Sequence, residues 1–160
     1  MRNNFAVDED SIRRYIASTY EGVEVTIASE DNGAPEVSWG DTFFICDPHH
    51  DLPQHKQFPF ATIVTKDYGD FDNASNLDRP GVFRLNIGVS KETFDSRLGA
   101  NENHDFTALD RLMPHPVYGG NHWACVLNPS DETFEEIKPL LDEAYAISRE
   151  RADSVHERGR

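Results

Sequence analysis

The chain has 160 residues, the length of one ordinary domain. It carries 29 acidic against 15 basic residues, a formal net charge of −14 that repels phosphate backbones and anionic lipid surfaces at long range. The apolar runs are too short to span a bilayer, and no signal sequence or lipidation motif is recognisable, so a soluble cytoplasmic protein without membrane association is expected.

In chain order, Asp8 or Asp10 can cap a first helix that places Ile12, Tyr15, Ile16 and Thr19 on one face and ends at Glu21-Gly22. Val23, Val25 and Ile27 alternate with Glu24, Thr26 and Ala28, the pattern of a half-buried strand. Glu30-Asp31-Asn32-Gly33 signals a hairpin, from which residues 36–39 return. Thr42–Cys46 suits a central strand. A polar loop over 47–57, a strand over Phe60–Thr65 and a second loop over Lys66–Pro80 follow. Val82–Val89 is the clearest strand, with Phe83, Leu85 and Ile87 on one face and Arg84 and Asn86 on the other. Ser90 caps a short helix bearing Phe94 and Leu98. Next come a loop over 99–106, a helical turn over Thr107–Leu112, an irregular segment over His115–Asn121 and a strand over Trp123–Leu127. Ser130 or Asp131 opens a long helix with Phe134, Ile137, Leu141, Ala144, Tyr145 and Ser148 on its inner face. Pro139 within it predicts a kink or break, and the charged tail after Arg151 a frayed end.

This order predicts an α+β fold, a largely antiparallel sheet packed by N- and C-terminal helices. The domain is read as 1–160, with an ordered core of about 8–151. Cys46 and Cys125 lie in apolar runs and read as inert buried thiols.

Four groups of residues can carry chemistry. Asp78-Arg79-Pro80-Gly81 leads into Arg84 and Asn86, an arginine fork beside an amide that suits a carboxylate or phosphate. An ion pair of Arg84 with Asp78 or Asp67 is the competing, structural reading. Met113-Pro114-His115-Pro116 holds His115 in a rigid segment, and His122 follows before Trp123, itself expected in the core. Neither histidine has a catalytic partner by spacing. Asp47-Pro48-His49-His50-Asp51 with His55 offers metal-ligand types at a spacing that matches no motif, so no metal and no cofactor is expected. Lys66-Asp67-Tyr68 ends a strand at a loop, where pockets form. The candidate ligand-binding residues are therefore Arg84, Asn86, Arg79, His115 and Lys66. The leading expectation is a domain that binds a small anionic or polar ligand or a protein partner. A small hydrolytic or resistance-related enzyme using His115 or His122 is the alternative. Nucleic-acid binding is disfavoured by the charge.

The stretches APEVSWGDTFF (34–44), PFATIVTKDY (59–68), NLDRPGVFRLNIGVSKETF (76–94) and DFTALDRLMPHPVYG (105–119) resemble domain-of-unknown-function family 6194, over roughly residues 10–150. A more distant likeness joins Gly22-Val23-Glu24, Leu85-Asn86, His122-Trp123 and Asp142-Glu143-Ala144-Tyr145 to the MmcQ/YjbR-like proteins. That second resemblance implies a compact α/β scaffold sometimes proposed to bind DNA. Here 47–80 reads as an insertion, and Asn121 stands where a basic residue would precede His-Trp.

Overall fold

The computed structural model describes residues 7–98 and 103–159; the start of the loop expected over 99–106 lies outside them. Among the described residues the chain runs α1 (Glu9–Thr19), β1 (Val23–Ile27), β2 (Thr42–Cys46), β3 (Ala61–Val64), β4 (Arg84–Gly88), α2 (Lys91–Leu98), β5 (Met113–Pro114), β6 (Trp123–Leu127) and α3 (Asp131–Arg158). The strands form one antiparallel sheet in the order β1-β2-β3-β4-β6-β5. This is the expected α+β architecture. Asp8 caps α1 by accepting the Ser11 N–H at 2.7 Å, and Ser130 caps α3 by accepting that of Thr133.

Both terminal helices lie on one sheet face. Ile12 and Ile16 of α1 and Phe134, Ile137, Leu141 and Ala144 of α3 bury against Phe44, Ile63, Leu85, Ile87 and Val126. Phe83, Leu85 and Ile87 are buried as expected, with β4 between β3 and β6. The opposite face has its own apolar cluster, Val64, Leu77, Met113, Cys125 and Leu127. The loops around Tyr68–Gly81 and Phe106–Tyr118 close over that face, so β4 is buried on both sides.

Several local expectations change. The β1–β2 connection is longer than a tight hairpin. Single 3₁₀ turns occupy Glu30–Asn32 and Glu36–Ser38, and β1 pairs with β2 from Val23↔Cys46 to Ile27↔Thr42. As an edge strand, β1 leaves Val25 and Ile27 exposed. The stretch 107–112 is not helical; Leu109 forms an isolated bridge to Leu127. Helix α3 runs through Pro139 without a break and on past Arg151 to Arg158, with Ala152 buried where a frayed tail was expected. Two contacts anchor that last stretch. His49 Nε2 lies 2.7 Å from Asp153 Oδ1, and His156 Nδ1 lies 2.6 Å from Asp51 Oδ2, with the two rings stacked at 3.9 Å. No helix among the described residues is long and apolar enough to cross a membrane.

Candidate functional site

Strand geometry sends Arg84 and Asn86 to the face away from the helices, where a charged side chain needs partners for every donor. Arg84 is fully buried, and Asn86, Asp72 and Ser75 accept from four of its five N–H groups. Its Nε donates to Asn86 Oδ1 at 2.9 Å; Nη1 donates to Asp72 Oδ1 and Ser75 Oγ, both at 3.0 Å; Nη2 meets Asp72 Oδ2 at 2.5 Å. The remaining Nη2 proton points at His115 Nε2, 3.1 Å away. Asn86 passes the network on, its Nδ2 donating to Thr62 Oγ1 at 3.0 Å. The arginine's partner is therefore Asp72, and neither Asp78 nor Asp67. Those two carboxylates organise the loop instead, accepting the backbone N–H groups of Asp67 and Leu77 respectively.

His115 follows β5 directly and is held from both sides of the peptide chain. Its backbone N–H donates to Trp123, and its Nδ1 accepts the N–H groups of Val117 and Tyr118, both at 3.0 Å. Burial, followed by the neighbouring Arg84 charge, lowers the imidazole pKa to about 4, so the ring is neutral at physiological pH. Cys125 lies under the same face, and burial raises its thiol to about 12; burial likewise raises Cys46 to about 11. Neither thiol is a ready nucleophile.

Above this network opens a cleft of about 550 Å³. Phe43, Phe58, Phe71, Tyr118 and Trp123 line its walls; Thr62, Arg84, Asn86 and His115 form its polar floor. Phe58 and Phe71 are 66% and 61% exposed, an apolar rim open to solvent. Trp123, expected in the core, is half-buried and forms part of the wall. Gly88 makes room for it: a Cβ there would come within 3.1 Å of the indole. Arg151 stands at the edge with no hydrogen bond or ion pair among the described residues.

Of the five residues singled out in the sequence, the structure thus brings together Arg84, Asn86 and His115. Arg79 is spent elsewhere, donating to the carbonyls of Ser75, Asn76 and Thr107 and so tying the two covering loops together. Lys66 donates to the Trp39 carbonyl and does not line the cleft. Its neighbour Tyr68 does, while its hydroxyl donates to Asp41, whose carboxyl is raised mainly by burial. Asp72, Ser75 and the aromatic walls were missed. Asp72 sits in an Asp-, Asn- and Gly-rich loop where nothing in the spacing sets it apart from Asp70.

The remaining histidines lie apart. His122, in a left-handed backbone conformation, has its ring 5.7 Å from that of Phe94 and no hydrogen-bonded carboxylate among the described residues. In the 47–51 segment, His50 and Asp47 meet Glu24 of β1, with ligand atoms within 4.8 Å of one another. This is the described cluster of a type that could hold a cation, although Asp47 Oδ1 already accepts the N–H groups of Asp51 and Leu52.

A family model described as a family of unknown function (DUF6194) matches residues 7–157, and the chain belongs to that family. No curated protein and no solved structure matches the chain.

Proposed function

We propose that this DUF6194 member is a single, cytoplasmic small-molecule-binding domain whose ligand sits in the aromatic cleft over Arg84, Asn86 and His115. One observation carries the reading: a buried charged network opens into a cavity rimmed by the solvent-exposed rings of Phe58, Phe71 and Tyr118. Ordered polar groups at the base of an apolar cleft are the usual composition of a ligand site, the walls supplying burial and the floor orientation. A compact molecule with a flat apolar body and a polar end suits both surfaces.

The enzymatic alternative has weaker support. A general base needs a free nitrogen facing a nucleophile or water. His115 Nδ1 instead caps two backbone N–H groups, and the adjacent Cys125 stays a thiol at neutral pH. Nucleic-acid binding stays disfavoured, since a net charge of −14 supplies no source of phosphate affinity.

The test is a fragment screen by protein-observed NMR, with Phe71→Ser and Tyr118→Ser as controls. Both side chains are exposed, so the variants should keep the parent melting temperature while losing roughly tenfold in fragment affinity. Fragments that gather on the helical face, or bind the two variants unchanged, would refute the cleft.

A further inference from the structure

The two nitrogens of His115 face three N–H donors. Val117 and Tyr118 point their backbone N–H groups at Nδ1, and Arg84 points an Nη2 proton at Nε2. A neutral imidazole accepts at one nitrogen and must carry its proton on the other. Placing that proton on Nδ1 would oppose two backbone donors at 3.0 Å. Placing it on Nε2 opposes one guanidinium donor at 3.1 Å. The Nε2–H tautomer is therefore the better one, and it leaves two donors, Arg84 Nη2–H and His115 Nε2–H, side by side without an acceptor. Both side chains are at least nine-tenths buried, at 0% and 5% exposure, and both line the cleft. No described carbonyl or carboxylate is hydrogen-bonded to His115 Nε2. Unpaired donors at this depth are costly, and one oxygen bridging them would satisfy both.

We infer that the ligand of this cleft presents a neutral carbonyl oxygen to Arg84 and His115, with a flat apolar body against Phe71, Tyr118 and Trp123. The inference rests on the cleft reading above and adds the chemistry of the ligand's polar end. The oxygen is neutral because the Arg84 charge is already matched by Asp72, which holds both Nη atoms. A carboxylate or phosphate brought to the same point would lie beside the Asp72 carboxylate, since Arg151, unpaired among the described residues, stands at the edge of the cleft and the floor holds no uncompensated cation. An amine would meet donors with a donor. Amides, lactams and cyclic imides carry this acceptor on a flat frame.

The test has two parts on the full chain. Long-range ¹H–¹⁵N correlation of labelled protein at neutral pH should report His115 as the Nε2–H tautomer; an Nδ1–H tautomer overturns the inference. Benzamide, benzoate and benzylamine, which share a ring and differ in the polar end, are then titrated at millimolar concentration. Benzamide should shift the His115 Nε2 resonance and bind roughly tenfold tighter than the other two, a difference of about 1.4 kcal/mol. His115→Asn places an acceptor where Nδ1 stood, so the 117–118 turn keeps its cap while the Nε2 donor is gone; this variant should bind all three equally. Benzoate binding as well as benzamide refutes the neutral oxygen. If all three shift the rim aromatics and leave His115 unmoved, the inference falls and the cleft reading stands. If none shifts the rim, both fall.

Discussion

Arg84 and Asp72 form a pair in which neither side chain is more than 8% exposed, so each is what makes the other tolerable in the interior. Removing the carboxylate leaves a fully buried guanidinium. Asp72→Ala should therefore cost about 3–5 kcal/mol, read from chemical denaturation. A loss under about 1 kcal/mol would show that water reaches Arg84 and that the network is shallower than it looks. His115 makes a second residue-scale prediction. Its folded pKa, about 4, lies below the usual histidine value of 6.5, so the unfolded chain binds the proton more readily. At and above neutral pH both states are neutral and the group contributes no pH dependence. As pH falls from about 6.5 toward 4 the unfolded state is favoured progressively, by up to about 3 kcal/mol. Unfolding midpoints at pH 7 and pH 5 should differ accordingly in the parent and differ less in His115→Asn. Equal slopes in the two proteins would mean that the imidazole protonates in place.

Helix α3 shows how an element can override a local signal. Pro139 cannot donate to the Glu135 carbonyl and is among the poorest residues for a helix interior, yet the helix continues. Ile137, Leu140, Leu141 and Ala144, buried around that position, hold it in register. Pro139→Ala should restore the missing hydrogen bond and raise stability, by roughly 1–2 kcal/mol after the greater flexibility of the unfolded chain is allowed for. A lower melting temperature would indicate that a bend there is needed for packing. Regular periodicity made α1, β2, β4, β6 and the start of α3 readable, because alternation and helical spacing are local properties. What escaped depended on partners distant in sequence. The end of α3 is held by His49 and Asp51, about a hundred residues away, and the two-residue β5 is defined by β6 alone. At the site, the common face of Arg84 and Asn86 follows from strand geometry. Asp72, by contrast, is chosen by a loop path that composition does not encode.

For the molecule as a whole, the acid excess is the dominant long-range term. Many described cations are already engaged, Arg14 with Asp10, Lys91 with Asp95 and Arg149 with Asp153, which leaves the surplus carboxylates to repel one another. Added salt shortens the Debye length from about 10 Å at 0.1 M to about 3 Å at 1 M. The melting temperature should accordingly rise between low salt and molar KCl near neutral pH. An unchanged value would mean that the surplus is spread too thinly to matter.

The polar network also has a consequence in time. Its Asp72–Arg84–His115 centre comes from three separate stretches of chain: a loop residue 12 positions before Arg84, the strand residue itself, and a turn 31 positions after it. The β1-to-β4 meander can form through neighbouring hairpins, whereas the covering loops gain contacts once the sheet exists to receive them. Closing them is then a late event, downstream of the barrier. Stopped-flow measurements on Asp72→Ala should show the destabilisation almost entirely as faster unfolding, with refolding near the parent rate. A molecule held in the cleft would act in the opposite direction, slowing escape from the native state while leaving the path into it untouched.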